Sequence, residues 1–584
     1  MNDPAIFVLG QHSILVAQNI KAVLPHAILY GLRDRTQSAD VDVSFENFGD
    51  ALRTVFAENR PVIGICASGI LIRTLAPLLT SKWQEPPVLA IAEDGSAVVP
   101  LLGGLHGVND LARQIATALN IAPAITTTGD IRFRTALLSP PVGYTLANPE
   151  DAKTFISDLL AGATVKLEGN APWLTASQLP FAAEARLTLK VTEQANTPTL
   201  VPGTLIYHPQ TLALGFTQAL TQDPAAAIAF VQQLFSSANL APASIAGVFG
   251  QTHYAGHPGI HAIAQALGVP ARFFKLDSKT PETATALAQR AAGTASQLIA
   301  IESGAECSAI ALAPLPIDVH NLGQAQGQLV VVGTGPGSAD WMSPEVKHSL
   351  QAATDWVGYS TYLNLVEPLR THQQRHDSDN REELDRARLA LNLAAEGRSV
   401  AVVSSGDPGI FAMAAAVFEA LEDAFAQNLN PDWHQIKIQV APGISALQAA
   451  AARVGAPIGH DFCVISLSDI LKPWSTVERR LKAAAEADFV IALYNPVSKH
   501  RTQQLAIARD LLLQTRSPET LVILARNVGR AGEEIVVRSL SQLSPEEVDM
   551  RTLVLIGSSK TRRFASLYGH WIYTPRHYDE EALG

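Results

Sequence analysis

Short apolar runs alternate with longer stretches of helical period along most of this chain, and that alternation sets the expected fold. Ile6–Leu9, Val62–Ile65 and Val88–Ile91 read as strands, while Ile14 to Leu24, the segment from Gly69, and Asn109 to Leu119 read as helices. Strands alternating with helices predict parallel sheets covered on both faces. Residues 135–200 break the rhythm, because Pro140, Pro141, Pro149, Pro172, Pro180 and Pro198 interrupt every short element. They predict a small connecting domain between an α/β domain at 1–134 and a second one at 201–315. In the latter, strands are expected near Ala246–Phe249 and Leu298–Ile301, with scaffold helices at Ala225–Phe235 and Thr283–Ala292. A polar, glycine-containing linker is expected at 316–328, then a further α/β domain at 329–575 with lobes at 329–439 and 440–575, and a frayed tail from Tyr573. The expected class is multidomain α/β.

The run Val330–Val332 leads straight into Gly333-Thr-Gly335-Pro336-Gly337-Ser338, whose alternating glycines let backbone approach a ligand closely. A dinucleotide loop fits poorly. Ser338 stands where the third glycine is required, Pro336 removes an amide, and Asp355 precedes the next apolar run instead of ending it. Related loops follow two later strands. Val400–Val403 enters Ser404-Ser405-Gly406-Asp407-Pro408-Gly409-Ile410-Phe411, and Ile436–Val440 enters Ala441-Pro442-Gly443-Ile444-Ser445-Ala446. Gly409 and Gly443 also fit simple turn geometry, Asp407 a helix cap, and His460 with Asp461 a hydrogen-bonded core pair.

Composition narrows the classes. A length of 584 residues implies several cores, and 47% hydrophobic content excludes disorder. No apolar run reaches the roughly 18 residues of a membrane span, and the first residues lack a basic signal start, so a cytoplasmic protein is expected. Cys66, Cys307 and Cys463 form no C-x-x-C pair and read as core residues, with no metal expected. His253, His257 and His261 recur at spacing four, but Gly256, Pro258 and Gly259 oppose one regular helix through all three. A net charge of -11 argues against nucleic acid as a partner. Against that background, Lys472 to Arg538 holds eleven Lys and Arg and seven Asp and Glu. Arg501, Arg526 and Arg530 each follow an apolar strand, where a ligand rich in carboxylates would meet them.

With His460-Asp461-Phe462 and Leu493-Tyr494-Asn495-Pro496 added in order, these loops resemble those of the tetrapyrrole (precorrin) methylases that use S-adenosylmethionine. The resemblance covers roughly residues 328 to 575. His460 to Asp469 and Leu493 to Arg501 carry it toward the precorrin-3B C17-methyltransferases. It implies two lobes enclosing the cofactor, with Gly406, Asp407, Ile410, Phe411, Ser445, Ala446 and Asn495 around it. Gly335, Pro336 and Gly337 are then placed near the substrate and the methyl group, and His460 and Asp461 are candidates for steering ring contraction or proton movement. The implied reaction is C17 methylation of precorrin-3B, or its cobalt form, with contraction to a precorrin-4 type product in cobalamin synthesis. Such chemistry leans on positioning, worth on the order of 7–11 kcal/mol, because the attacking carbon is already electron-rich. A homodimer through this domain and other corrin-pathway enzymes as partners are also implied. The alternatives are methylation at another precorrin position or of RNA ribose, the last of which wants a basic groove.

Residues 1 to about 315 resemble more loosely the cobalt-precorrin-5A hydrolases, through Ala67-Ser68-Gly69-Ile70, Val99 to Ala112 and Thr126 to Asp130. Asn109, at a helix start behind glycines, suits an anion-binding loop for a propionate or acetate. Leu105 stands where that family has histidine, Gly215-Phe216-Thr217-Gln218 replaces its glycine–cysteine–arginine turn, and no lysine lies near Glu302. Lactone opening needs a base and oxyanion stabilisation. Weak or absent hydrolase activity is therefore expected, with His106 or Asp130 as the available substitutes; a truly bifunctional hydrolase and methyltransferase is the alternative.

Overall fold

The computed structural model describes residues 3–577 except 38–39, 83, 196–201, 218, 276–281, 302–306, 380–381, 428, 499–500 and 568. Two compact units divide the chain, Met1–Ala325 and Gln326–Gly584.

In the first unit, a six-stranded sheet runs in the order Val43–Phe45, Ile28–Leu32, Ala5–Val8, Val62–Ile65, Val88–Ile91, Val98–Leu102. Every pair is parallel except the last. Ala5–Val8 and Val62–Ile65 are buried throughout, as continuous apolar runs demand when both faces are covered. Ile28–Leu32 and Val98–Leu102, absent from the sequence expectation, are only partly buried and carry no such run.

The connecting sheet has the order Tyr144–Leu146, Thr204–Pro209, Leu187–Val191, Val165–Glu168. It therefore extends past residue 200, the boundary expected from the prolines. Asn148 draws the extra strand in, with Nδ2 donating to Thr204 O at 2.8 Å and Oδ1 accepting from Ile206 N at 2.9 Å. A five-stranded sheet follows, Ala271–Phe274, Ile245–Gln251, Leu212–Phe216, Ser308–Leu312, Gln297–Ile301. Its helix begins only at Pro258, so the three histidines do not share one face. His257 Nε2 sits 3.2 Å from Leu220 O and His261 Nε2 2.6 Å from Ala255 O.

The second unit holds two lobes. The first is wholly parallel, in the order Gln374–Ser378, Asp355–Tyr359, Ser399–Ser404, Gln328–Gly333, Lys437–Ala441. The expected lobe boundary at 439/440 cuts this last strand, which completes its pairing with the Gln328–Gly333 strand at Ala441. The second lobe is mixed, in the order Phe462–Ser466, Val490–Tyr494, Thr552–Ile556, Leu521–Arg526, Glu534–Ser539, with Thr552–Ile556 antiparallel to both neighbours. A three-stranded sheet of Gly455–Ala456, Gly569–Tyr573 and Arg562–Ser566 stands beside it. Tyr573 thus ends a strand instead of opening a frayed tail, and Thr574 Oγ1 donates to Pro457 O. Residues 578–584 lie outside the described residues.

Asp355 starts its strand with a fully buried side chain, 2.8 Å from His376 Nε2 and 3.0 Å from Arg398 Nη1. Asp355→Ala removes the buried acceptor shared by His376 and the partly exposed Arg398 and should cost about 1–3 kcal/mol, read as a lower urea midpoint. Burial also pushes the Cys66 and Cys463 thiols up to about 11, with Glu93 adding to the effect at Cys66. A raised pKa shrinks the thiolate fraction at any lower pH. Alkylation of either thiol at mildly alkaline pH should run roughly a hundredfold slower in the native chain than in denaturant, and equal rates would contradict the buried placement.

Candidate active site

Three loops leave the carboxyl ends of the adjacent parallel strands Ser399–Ser404, Gln328–Gly333 and Lys437–Ala441, the end at which open α/β sheets receive ligands. They pack backbone against backbone. Gly335 N donates to Gly406 O at 3.2 Å, Gly406 N to Gly335 O at 2.7 Å, and Thr334 N to Ser404 O at 2.9 Å. A Cβ on Gly443 would strike the carbonyl oxygens of Gly406 and Gly333, and one on Gly333 would lie 2.6 Å from Gly406 O. Close packing, and no special turn, excludes a side chain at these two positions. Gly335 and Gly406 differ, since φ values of 75° and 70° put them in the left-handed region.

Asp407 ties two of the loops together. Its Oδ1 accepts from Gly409 N at 2.9 Å and its Oδ2 from Gly443 N at 3.2 Å. It caps no helix, since the next one begins at Met413. Ile410 N donates to Asp407 O at 3.3 Å, which closes the turn. Ser445 and Gln448 form a reciprocal capping box that starts the helix Ala446–Val454. Leu447 N in that first turn donates to Tyr494 Oη at 3.0 Å, which brings the second lobe against the glycine loops. Burial raises the Tyr494 phenol above its ordinary value. Phe411, at φ 51° and 51% exposed, holds its ring 5.6 Å from that of Tyr494. Asn495, also at φ 51°, donates from Nδ2 to Ser466 Oγ at 3.1 Å. Gly406, Asp407, Ile410, Phe411, Ser445, Ala446 and Asn495 therefore surround one place at the strand ends.

Arg530 reaches from the second lobe to the first, where Nε donates to Pro336 O at 2.6 Å and Nη2 to Ser405 Oγ at 2.8 Å. A Cβ on Gly337 would collide with its stem. Burial lowers its pKa. A cavity of about 700 Å³ opens here, lined by Gly337, Thr361, Arg453, Arg530, Glu533 and Arg551 among others. The other two favoured arginines are engaged by protein groups, Arg526 while still 43% exposed. Arg526 pairs with Asp549 at 3.1 Å, and Arg501, 5% exposed, donates to Asn495 O at 2.8 Å. Arg501 thus holds the backbone of a site residue. His460 and Asp461 are not brought to the loops. They precede the strand Phe462–Ser466 at its amino end, with Asp461 O accepting from Val490 N, whereas the loops gather at the carboxyl end beyond Ser466 and Tyr494. Lys499 and His500 lie outside the described residues.

In the first unit, Ser68 and Gly69 follow the carboxyl end of Val62–Ile65, while Gly103 lies against Pro86 and Pro87 at the opposite end, because Val98–Leu102 runs antiparallel. The two matching motifs do not form one site. His106 is exposed, Asn109 Nδ2 reaches Thr127 Oγ1 at 3.4 Å, and buried Asp130 accepts from Arg113 Nη2 at 2.6 Å. Phe216 is sealed in the core, and Gln218 and Glu302 lie outside the described residues.

Residues 328–544 match the family model Tetrapyrrole (Corrin/Porphyrin) Methylases, and residues 50–130 match Cobalamin synthesis G N-terminal. A precorrin-3B C(17)-methyltransferase of Sinorhizobium sp is 50% identical over 254 residues, 43% of this chain and 97% of that protein. The chain belongs to the tetrapyrrole methylase family. Cobalamin biosynthesis protein CobIJ of Mycobacterium bovis is 50% identical over 258 residues, 44% of this chain and 49% of that protein, so this chain spans about half the length of that relative. A probable cobalt-factor III C(17)-methyltransferase of Salmonella typhimurium is 42% identical over 233 residues, 40% of this chain and 93% of that protein. The solved structure of the methyltransferase CobJ is 48% identical, covering 43% of this chain and all of that one, at a TM-score of 0.40.

Within this methylase unit, sequence reasoning missed Tyr494 as the lobe-joining group, and also Arg453 and Arg551. Arg551 precedes a strand, and only the antiparallel course of Thr552–Ile556 brings that beginning to the end of the sheet where the loops lie. The glycine contacts predict a contrast. Gly443→Ala should overpack the loop junction at a cost of about 1–3 kcal/mol, while Gly409→Ala, whose Cβ would meet only Asp407 Oδ1 at 3.1 Å, should stay within about 0.5 kcal/mol of the parent. Urea denaturation of both variants checks this.

Proposed function

We propose that the unit Gln326–Gly584 transfers a methyl group from S-adenosylmethionine to C17 of precorrin-3B or its cobalt form, in the step that contracts the ring toward a precorrin-4 type product. The observation that carries this reading is the 50% identity to a precorrin-3B C(17)-methyltransferase over 97% of its length. The cobalt alternative draws on the Salmonella relative. The loop chemistry fits the cofactor: each carboxylate oxygen of Asp407 accepts one backbone N–H and keeps a lone pair for a ligand donor, and the half-exposed Phe411 ring offers an apolar face. When bound, S-adenosylmethionine supplies an electrophilic methyl group.

The chain's own work is positioning. Gly335, Pro336 and Gly337 form a low wall, with the Pro336 ring between two bare glycines, that would hold a flat macrocycle, and Arg530 fixes that wall through Pro336 O. Asn495 is set by Ser466 and Arg501 so that its turn keeps one conformation. Holding two reactants in line is worth on the order of 7–11 kcal/mol, which suits a site built from closely packed backbone loops. Ring contraction is then steered from the loops, His460 and Asp461 being at the other end of their strand. Methylation of RNA ribose is disfavoured by the net charge of -11.

For the unit Met1–Ala325 we propose tetrapyrrole binding without lactone opening, supported by the match over residues 50–130 and by Leu105 and core-buried Phe216 at positions where the hydrolases carry polar groups. Homodimer formation through the methylase unit is supported by the exposed Phe564, Leu567 and Trp571 on its hairpin. Exchange of tetrapyrroles with other corrin-pathway enzymes belongs to the same reading.

Incubating the full chain with labelled S-adenosylmethionine and either precorrin-3B or its cobalt complex should yield a ring-contracted product heavier by one methyl group, seen by mass spectrometry. Asp407→Ala should weaken S-adenosylhomocysteine binding by about tenfold or more in calorimetry while thermal unfolding stays cooperative. Wild-type affinity in that variant would leave Asp407 a loop tie alone. The full chain should release no acetaldehyde from cobalt-precorrin-5A, and release that His106→Ala abolishes would establish the bifunctional alternative.

A further inference from the structure

Two guanidinium groups at the cavity beside Gly337 lack a carboxylate. Arg530 spends Nε on Pro336 O and Nη2 on Ser405 Oγ, both neutral acceptors, and its Nη1 makes no hydrogen bond among the described residues. Arg551 is exposed, and its side chain forms no ion pair among the described residues. Their backbones are tied through one residue: Asn527 N donates to Arg551 O at 3.1 Å, and Arg530 N donates to Asn527 O at 2.9 Å. Both side chains line the same cavity of about 700 Å³. Proximity is felt electrostatically too, since the charge of Arg551 adds to the burial that lowers the pKa of Arg530.

The acids close by are already engaged. Glu533 takes Arg453 Nε at 2.6 Å and Gly529 N at 2.7 Å. Asp549 takes Arg526 Nε at 3.1 Å, Arg551 N at 2.9 Å and Thr552 Oγ1 at 2.9 Å. Arg453 in turn lies 4.5 Å from the centre of the Trp341 ring. Placing two like charges at one partly desolvated cavity with no internal counter-ion is unfavourable unless an anion arrives there. A guanidinium pair suits a carboxylate, which offers two oxygens to their planar forks.

We infer that Arg551 and Arg530 form a carboxylate subsite, which seats one acidic side chain of the tetrapyrrole beside Gly337. This rests on the substrate class proposed above and adds the residues that recognise it. Arg551 supplies an exposed fork, and Arg530, pinned by Pro336 and Ser405, supplies Nη1. The subsite thereby sets the distance from the macrocycle's edge to the glycine wall.

The test uses the full chain, with uroporphyrin as the probe and fluorescence quenching as the readout. Arg551→Gln should raise the uroporphyrin Kd by about tenfold or more, the loss expected for a charge-assisted pair, and Arg551→Lys should recover part of it by restoring charge without the fork. S-adenosylhomocysteine binding measured on the same samples should stay at the parental Kd, which shows that the variant is folded and the loss local. In turnover with precorrin-3B, KM should rise more than kcat falls. Arg551→Gln with both uroporphyrin affinity and the KM for precorrin-3B at parental values overturns the subsite and makes Arg551 a solvated surface cation, whereas a raised KM beside unchanged quenching assigns the remaining uroporphyrin to the unit Met1–Ala325. If the parent binds uroporphyrin but methylates neither precorrin-3B nor its cobalt form, the proposed reaction fails while loss of uroporphyrin in Arg551→Gln still upholds the subsite.

Discussion

Gly333, Gly406 and Gly443 bring three loops into direct backbone contact, and the carboxylate of Asp407 holds them there by accepting from Gly409 N and Gly443 N. Because the loops meet at bare glycines and share the Asp407 carboxylate, the three strand ends form one rim. The helix Ala446–Val454 starts from this rim through its capping box, and its first turn reaches Tyr494. Displacing one loop would shift the helix start and the contact between lobes together. The site therefore depends on an interaction that buries almost no apolar area and gains its rigidity from close approach.

The opposite wall is built differently. The second lobe interleaves Thr552–Ile556 antiparallel between Val490–Tyr494 and Leu521–Arg526. That reversal puts a strand beginning, with Arg551, next to strand ends carrying Tyr494 and Asn527. Arg530 then crosses to Pro336 and Ser405, so a partly buried cation joins the walls through neutral acceptors and is left with a donor. A parallel sheet would have sent Arg551 to the far end.

Much of the fold was legible in the sequence because buried strands in covered sheets must be continuous apolar runs. Val62–Ile65 and Val88–Ile91 match their expected bounds for that reason. Ile28–Leu32, second from the sheet edge, escaped, since its half-exposed alternate positions interrupt the run. Thr204–Pro209 lies beyond the expected domain boundary at 200/201 yet joins the connecting sheet, because pairing partners are chosen in space, here with the Asn148 side chain bonded to its backbone.

At the site, the chain alone determined which residue types were available: glycines at alternate positions, an aspartate in a tight turn, a serine at a helix start and arginines beside strands. Local sequence can do this because turns and caps are made by residues a few positions apart. Only the tertiary structure decided that Gly443 is required by packing, that Arg501 and Arg526 are engaged by Asn495 O and Asp549, that His460 and Asp461 stand at the far end of their strand, and that Arg551 joins Arg530. Each of those depends on strand direction and on contacts between residues distant in the chain, which linear spacing does not encode.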